Sequence, residues 1–172
     1  VYVNIYQNCM RKKIIITGGL GYIGTELCKL YSGVSWHHEL IIIDNKFISD
    51  RVNQIRKWNM QFIHGDILDK DLIQKHLYDA DIVHHLAGVT EVPRVKSESS
   101  QLQDDKIKKV GEQGTQNILD SLSDKCKIIF PSTHVVFEGM NEVKKDIMED
   151  EKTLPVLSYG TSKAINEKQI KD

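Results

Sequence analysis

The fold of this chain is decided by a short apolar run that leads into a glycine-rich turn, Ile14-Ile15-Ile16-Thr17-Gly18-Gly19-Leu20-Gly21-Tyr22-Ile23-Gly24. The run predicts a strand over residues 13–17, and the apolar spacing after the turn predicts a helix over residues 22–32. Glycines at the turn allow backbone N–H groups to approach a phosphate closely and let the helix pack tightly on the strand. This arrangement predicts a dinucleotide site with the pyrophosphate at the helix N-terminus; the alternative is a purely structural glycine turn.

A carboxylate at the end of the second predicted strand supports the dinucleotide interpretation. Residues 40–43 are apolar, and Asp44 follows them in the position where a carboxylate accepts hydrogen bonds from an adenosine ribose. Because this carboxylate repels the 2′-phosphate of NADP, the predicted cofactor is NAD. Lys46 and Arg51 come soon after and are candidates to bind that phosphate, but we interpret them as solvated loop charges.

The remaining sequence alternates between predicted strands and predicted helices. Further strands are predicted over residues 61–64, 81–86 and 127–130, and further helices over residues 69–77, 110–122 and 162–171. Polar residues 96–109 predict a solvated loop or the start of a helix. Continuous apolar strands that alternate with helices predict an α/β fold, a Rossmann-type doubly wound parallel sheet with helices on both faces.

The composition of the chain limits the kinds of partner that it is expected to bind. The 172 residues are 40% hydrophobic and 27% charged with a net charge of −1, which predicts one soluble globular domain without a basic surface for nucleic acid. No apolar run approaches the roughly 18 residues of a membrane span, and the three cysteines are far apart, so we expect a cytoplasmic, reducing location. His84 and His85 are adjacent on a strand and face opposite ways, so no metal site is predicted.

A tyrosine and a lysine near the C-terminus predict acid–base chemistry. Tyr159 and Lys163 lie four residues apart and share one face of a helix. A phenol with an ordinary pKa of about 10 is a poor base at neutral pH, but a nearby ammonium and an oxidised nicotinamide favour the phenolate. The alternative is an exposed helical pair without a catalytic role.

Seven motifs in order identify a family resemblance. The chain resembles the extended short-chain dehydrogenases/reductases, in their NAD-dependent epimerase/dehydratase branch of nucleotide-sugar enzymes, over residues 11–172. The matching motifs are Thr17-Gly18-x-x-Gly21-x-x-Gly24, Asp44-Asn45, Gly65-Asp66-Ile67, His85-Leu86-Ala87-Gly88, Pro131-Ser132-Thr133, Val136-Phe137 and Tyr159-x-x-x-Lys163.

The resemblance implies a role for each matching residue. Tyr159, Lys163 and Thr133 are the implied catalytic residues, with Thr133 bonded to the reacting hydroxyl and Ser132 as the alternative if the alignment slips by one. Asp66 and Ile67 are implied to contact the adenine. The implied cofactor-binding residues are Gly18, Gly21, Tyr22, Ile23, Gly24, Asp44, Asn45, Asp66, Ile67, Leu86, Ala87, Gly88 and Lys163.

The implied activity is that of an NAD-dependent nucleotide-sugar epimerase, which oxidises its substrate to a keto-sugar by hydride transfer to NAD and then reduces it again. A sugar reductase or dehydrogenase and a non-catalytic dinucleotide-binding protein are the alternatives. The 4,6-dehydratases of the family carry acidic residues after the catalytic threonine, whereas this chain has His134 and Val135, which disfavours dehydration. Gly111 is a second departure, because the family has an asparagine at this position.

The resemblance also predicts the domain organisation. We expect residues 1–9 to be upstream or vector-encoded sequence and residues 10–172 to be an NAD-binding domain that is incomplete at its C-terminus. The family's small C-terminal substrate domain is missing, so this piece is expected to bind cofactor and can still be inactive. At full length the resemblance implies a homodimer, formed through helices over residues 110–122 and from residue 162 onward.

Overall fold

The computed structural model describes residues 10–89, 92–93, 95–142 and 145–171. The predicted upstream segment, residues 1–9, lies outside the described residues. The strands are β1 (Lys13–Thr17), β2 (Glu39–Asp44), β3 (Gln61–His64), β4 (Ile82–His85) and β5 (Lys127–Ile129). They form one sheet in the order β3-β2-β1-β4-β5, and every pair of neighbours is parallel. The sheet therefore has the strand order of a Rossmann fold.

Among the described residues, six α-helices connect or follow these strands. They are α1 (Tyr22–Tyr31), α2 (Ser49–Lys57), α3 (Lys70–Leu77), α4 (Gln101–Lys108), α5 (Gly114–Leu119) and α6 (Ser158–Lys171). A π-helical turn at Lys109–Gln113 joins α4 to α5, and 3₁₀ turns occupy Lys96–Glu98 and His134–Phe137. Within the described ranges, none of the helices has the length and apolar character needed to cross a membrane.

Two hydrophobic clusters cover the two faces of the sheet. Ile16 of β1 packs in one cluster with Cys28 of α1 and Ile55 of α2. Its neighbour Ile15 faces the other way and packs with Ile73 of α3 and Ile118 of α5. Successive strand residues bury themselves on opposite faces because the side-chain period of a strand is two. The predicted doubly wound sheet with helices on both faces is confirmed.

Several local predictions need correction. The interpretation of Arg51 as a loop charge is wrong, because this residue lies on α2, a helix that the sequence did not predict. The polar stretch 96–109 contains the complete helix α4, and the predicted helix over 110–122 begins as part of the π-helical turn. Helix α6 begins at Ser158 rather than residue 162, so both Tyr159 and Lys163 lie within it.

All five strands present their carboxyl ends at the same edge of the sheet, because they are parallel. The glycine turn follows β1, Asp44 ends β2, and residues 86–88 follow β4 at this edge. In open α/β sheets ligands bind outside these carboxyl ends, so the fold places the predicted site there.

Candidate cofactor cleft and active site

The glycine turn is shaped by close contact with the segment that follows β4. Gly18 has a φ of +70°, and a Cβ built on it would lie 2.6 Å from the backbone nitrogen of Ala87. The Gly18 N–H donates to the Ile43 carbonyl at 2.8 Å, and the Gly21 N–H donates to the Gly18 carbonyl at 3.0 Å. Only a glycine satisfies both this left-handed φ and this close approach.

The N-terminus of α1 lies beside this turn, and no side chain caps its first backbone N–H groups. Gly21 precedes the helix without a side-chain cap, and the first helical turn contains no acidic residue. The first N–H groups of a helix lack intrahelical acceptors and carry a partial positive charge, so an anion is stabilised there. Gly24 allows the helix to approach, because a Cβ at this residue would lie 2.5 Å from the Gly18 carbonyl oxygen.

The Asp44 carboxylate is buried and held by the backbone on both sides. Its Oδ2 accepts from the Leu20 N–H and its Oδ1 accepts from the Lys46 N–H, each at 2.9 Å. Each carboxylate oxygen can accept more than one hydrogen bond, so Asp44 can also accept from ribose hydroxyls. Its orientation is thus set before any ligand binds.

These features border a cleft with a cavity volume of about 490 Å³. The predicted cofactor-binding residues that line it are Gly18, Gly21, Tyr22, Asp44, Asn45, Asp66, Ile67, Leu86, Ala87 and Gly88. Ile23 and Gly24 stand beside it in the first turn of α1, and Lys163 lies outside its walls on α6. The structure therefore brings together ten residues that are scattered over 71 positions of the sequence.

The wall formed after β2 and β3 is a hydrogen-bonded unit. The Asn45 side-chain amide donates to Asp66 Oδ2 at 2.9 Å, and the Leu68 N–H donates to Asp66 Oδ1 at the same distance. The His64 ring is hydrogen-bonded to the Asn45 carbonyl at 3.0 Å. The two predicted cofactor residues Asn45 and Asp66 thus fix each other's side chains.

Side chains that line the cleft beyond the predicted set include Lys106 on α4, Val110 in the π-helical turn, and Lys46 and Arg51, which the sequence analysis interpreted as solvated loop charges. Arg51 also donates to the Leu20 carbonyl, which ties α2 to the glycine turn. The spacing of the buried residues Val52 and Ile55 was the available signal for α2. Lys106 had no such signal, because its position beside the cleft depends on how α4 packs.

Lys163 and Tyr159 face a separate region after β5. The Lys163 Nζ donates to the Pro131 carbonyl at 3.1 Å and lies 4.1 Å from the centroid of the Phe130 ring. It lies 5.9 Å from the centroid of the Tyr159 ring. Burial lowers the pKa of Lys163 to about 8 and raises the pKa of Tyr159, since burial disfavours the charged form of each group.

The two candidate hydroxyls after β5 have different partners. Thr133 Oγ1 accepts from the Val135 N–H at 3.4 Å and so keeps its own proton for donation. Ser132 Oγ instead donates its proton to the Glu167 carboxylate on α6. These bonds favour Thr133 over Ser132 as the donor to a substrate oxygen, while the next residue, His134, begins the 3₁₀ turn and is exposed.

The two adjacent histidines of β4 face opposite sides of the sheet, as predicted. The buried His85 is hydrogen-bonded to the hydroxyls of Thr17 and Thr115, each at 3.0 Å, and burial and Lys163 lower its pKa to about 3. His84 is hydrogen-bonded to the Tyr31 hydroxyl at 2.8 Å. In the part of the chain that the structure describes, no group of three His, Cys, Asp or Glu side chains could hold a metal ion.

Gly111 brings α6 close to the π-helical turn. A Cβ on Gly111 would overlap Ser162 Oγ, so α6 packs directly on the backbone where the resembled family has an asparagine. The Asn166 side-chain amide donates to the Gly111 carbonyl at 3.1 Å, and Gln169 donates to the Glu112 carbonyl at 3.3 Å. Two side-chain amides of α6 therefore donate to backbone carbonyls of the π-helical turn, at and next to Gly111, where the family's asparagine side chain is absent.

Comparison with known proteins gives related enzymes of several kinds. A CDP-paratose 2-epimerase of Salmonella typhi is 32% identical over 77% of this chain and 40% of its own length. A UDP-N-acetyl-alpha-D-glucosaminuronate decarboxylase of Bacillus cytotoxicus is 32% identical over 74% of this chain and 38% of its own. A solved structure of Brucella ovis UDP-glucose 4-epimerase in complex with NAD is 27% identical, with a TM-score of 0.76 over 94% of this chain and 47% of that chain.

These relatives agree with the predicted cofactor, since the Brucella ovis structure contains NAD. The chain spans about half or less of the length of the relatives it matches. The profile of the 3-beta hydroxysteroid dehydrogenase/isomerase family matches residues 15–172. The chain therefore belongs to this family, which confirms its predicted place among the extended short-chain dehydrogenases/reductases of the NAD-dependent epimerase/dehydratase type.

Proposed function

We propose that this chain is the NAD-binding part of a nucleotide-sugar epimerase. The observation that carries the proposal is the placement of the cofactor cleft and the Tyr159, Lys163 and Thr133 group after the neighbouring strands β4 and β5. A cofactor in the cleft and a proton-transferring group beside it are what a carbonyl–alcohol interconversion needs. Similarity to two nucleotide-sugar epimerases supports the choice of reaction.

The cleft fits NAD in shape and in charge. Gly18 and Gly21 line the cleft without side chains, and the uncapped N-terminus of α1 favours the negative charge of a phosphate there. We assign the adenosine ribose to Asp44 and the adenine to Asp66 and Ile67, and the lining of the cleft by all three residues supports this assignment. When bound, NAD supplies a group that accepts a hydride and returns it.

Tyr159 acts as the proton acceptor for the substrate hydroxyl. Burial alone raises its pKa, so the phenolate depends on positive charge nearby. Lys163 provides this charge, because a pKa of about 8 leaves most of its amine protonated at neutral pH. Thr133 donates a hydrogen bond to the same substrate oxygen and fixes its position while the proton moves to Tyr159.

A dehydrogenase or reductase is the second candidate, and the description of the matching family favours it. Such an enzyme uses the same Tyr159, Lys163 and Thr133 but releases its product after a single hydride transfer, oxidised by a dehydrogenase or reduced by a reductase, so it converts one cofactor molecule with every turnover. Dehydration is disfavoured because His134 and Val135 follow Thr133 where the 4,6-dehydratases have acidic residues. A purely cofactor-binding role leaves the joint presence of the three catalytic side chains unexplained.

We also propose a domain organisation, an oligomeric state and a location for this protein. We assign residues 10–172 to the NAD-binding domain. The relatives are more than twice as long as their matched regions, and we assign nucleotide and sugar binding mainly to a region outside the match. We further propose a homodimer at full length, and a cytoplasmic location in keeping with the free thiols of Cys28 and Cys126.

The test compares product formation with cofactor consumption in the full-length protein. UDP-, CDP- and dTDP-hexoses are offered with NAD, the sugars are analysed by NMR, and NADH is followed by absorbance. An epimerase forms the inverted sugar without net NADH, and Tyr159→Phe lowers its kcat by about 10²- to 10⁴-fold without changing NAD affinity. Stoichiometric NADH with a keto product establishes the dehydrogenase instead.

A matched pair of variants tests the assignment of the hydroxyl. Thr133→Val removes the proposed donor and is expected to lower kcat by about 10²-fold, whereas Ser132→Ala leaves kcat within about threefold. Equal losses in both variants contradict the assignment of Thr133, because they place both hydroxyls in the same supporting structure.

A further inference from the structure

Glu138 lies immediately after the 3₁₀ turn at His134–Phe137 and reaches the start of α6. Its Oε1 accepts from the Val156 N–H at 2.7 Å and from the Leu157 N–H at 2.6 Å. These two residues are the last before α6, and Tyr159 is the second residue of that helix. One carboxylate oxygen therefore holds the backbone that leads directly into the helix carrying the proposed proton acceptor.

Backbone hydrogen bonds join the same two segments. The Leu154 N–H donates to the Val136 carbonyl at 2.7 Å, and the Gly139 N–H donates to the Leu154 carbonyl at 2.8 Å. The 3₁₀ turn and the segment before α6 thus lie side by side. Glu138 extends this pairing to the last two residues before α6, beyond the point where the backbone pairs end.

The Glu138 carboxylate also places a negative charge near the N-terminus of α6. The Thr161 N–H donates to the Leu157 carbonyl at 3.0 Å, so the helical bonds start from Leu157 and the N–H groups before Thr161 need other acceptors. No acidic residue lies in the first turn of α6 itself. A negative charge beside a helix N-terminus stabilises it, and Glu138 supplies this charge from another part of the chain.

Close packing leaves α6 little freedom to shift. A Cβ built on Gly160 would lie 2.9 Å from the Val135 carbonyl oxygen and 3.3 Å from Glu138 Oε1. The residue after Tyr159 therefore lies directly against the 3₁₀ turn. Thr133 caps the start of this turn with its hydroxyl and Glu138 ends it, so the turn lies between Thr133 and the start of the helix that carries Tyr159.

We propose that Glu138 is a positioning residue that fixes the start of α6 on the 3₁₀ turn and thereby sets the placement of Tyr159 relative to Thr133. The inference rests on the proposed function only for the role of Tyr159 as proton acceptor. The hydrogen bonds of Glu138 can be tested without any catalytic assay.

The first test uses this 172-residue chain and amide hydrogen exchange. Glu138→Leu removes the acceptor at similar size, whereas Glu138→Gln retains a side-chain oxygen that can accept both N–H groups. We expect exchange at Val156 and Leu157 to accelerate at least about tenfold in Glu138→Leu and to stay within about threefold in Glu138→Gln. NAD titration serves as the control for folding, because the cofactor cleft lies after β1 to β4, and its affinity is expected to be unchanged.

The second test measures kcat, KM and NAD affinity in the full-length protein with the substrate that it turns over. We expect Glu138→Leu to lower kcat about 10- to 100-fold with KM within about twofold, because misplacement of a catalytic group affects the chemical step. Glu138→Gln is expected to restore most of kcat. A residue with a purely stabilising role would change the unfolding midpoint and leave kcat intact at temperatures where all variants are folded.

Gly160→Ala gives an independent test with Glu138 intact. Its Cβ pushes α6 away from the Val135 carbonyl, so it is expected to reproduce the faster exchange and the lower kcat if Glu138→Leu does not fold. Equal exchange in Glu138→Leu and Glu138→Gln overturns the inference, as does an unchanged kcat in folded Glu138→Leu and Gly160→Ala. If the wild-type protein turns over no substrate, the proposed function fails, and the exchange rates alone still decide whether Glu138 holds the start of α6.

Discussion

The cofactor cleft and the catalytic edge, which we define as residues 130–133 with Tyr159 and Lys163, are built by different means. Most of the cleft follows the interior strands β1, β2 and β4, whose residues are almost completely buried, such as Ile16 and Ile43, each with 0% exposure, while its Asp66 wall follows the edge strand β3. The catalytic edge follows β5, a three-residue edge strand in which Ile129 is 38% exposed. The cleft therefore rests on the core of the domain, whereas the catalytic edge rests on its margin.

The hydrogen bonds of the two regions differ in the same way. Gly18 is bonded backbone to backbone with Ile43, and Asp44 accepts from two backbone N–H groups. The catalytic edge depends instead on side chains that cross from α6 and its neighbours, including Lys163 to the Pro131 carbonyl and Ser132 to Glu167. Cofactor binding is thus preorganised by the main chain, while the catalytic geometry depends on how one helix is held.

The largest effect is expected from a change that breaks the cleft itself. Gly18→Ala places a methyl group within 2.6 Å of the Ala87 nitrogen and forces a non-glycine residue to a φ of +70°. We expect it to destabilise the fold by about 2–5 kcal/mol and to abolish measurable NAD binding, because strain and overlap add at one site. Urea unfolding and calorimetric titration of the 172-residue chain measure both quantities.

Gly33→Ala is the matched control for this prediction. A Cβ on Gly33 meets no atom within 4 Å, so the same substitution there is expected to change stability by less than about 1 kcal/mol and to leave NAD affinity intact. Undiminished NAD binding by Gly18→Ala would contradict the view that the cleft is built around the bare backbone of this residue.

The cleft was also the region that sequence reasoning predicted best. Its glycine spacing, Asp44 and the residues after β3 and β4 all stand at strand ends, where position along the chain determines position in space. Arg51 and Lys106 reach the same cleft from α2 and α4, helices with few buried residues and therefore weak apolar periodicity. Their contribution depends on helix packing, which no local pattern of residues reveals.

Prediction of the catalytic edge was less complete for a related reason. Tyr159, Lys163 and Thr133 were found from motifs, but the motifs do not give the partners that hold these residues. Glu138 reaches residues 18 and 19 positions further along the chain, and its bonds exist only once the 3₁₀ turn and the segment before α6 have come together. Tertiary side-chain bonds of this kind leave no periodic signal in the sequence.

A second prediction tests whether burial of the charged Lys163 at the catalytic edge lowers the stability of the folded protein. Burial lowers the pKa of Lys163 to about 8, so below that pH the folded protein holds a proton that the site disfavours. We expect Lys163→Met to be more stable than wild type at pH 7 by about 1–3 kcal/mol, with the hydrogen bond to Pro131 offsetting part of the gain. Urea unfolding of both proteins from pH 7 to pH 10.5 provides the measurement.

The sign of this pH dependence follows from proton binding. Between about pH 8 and pH 10.5 the unfolded lysine is protonated and the folded lysine is not, so wild-type stability rises with pH and the advantage of Lys163→Met shrinks. Lys168→Met, at an exposed position of the same helix, is expected to change stability little at pH 7. A Lys163→Met variant that is less stable than wild type at pH 7 would mean that the bonds of the ammonium outweigh its burial.

The smallest effect is expected from Asp44→Asn, which tests whether the charge at the end of β2 determines the preference for NAD over NADP. Asp44→Asn removes the charge that we propose to face the 2′ position of the ribose, and its remaining carbonyl oxygen can still accept one of the two backbone N–H groups. We expect the NAD-to-NADP affinity ratio of the 172-residue chain to fall about tenfold, or about 1.4 kcal/mol, in parallel calorimetric titrations. Asp66→Asn is the matched control, since it removes a charge from the same wall at a residue proposed to contact the adenine, and it is expected to weaken both cofactors alike. An unchanged ratio in Asp44→Asn would show that the charge of Asp44 at the strand end does not set the choice of cofactor.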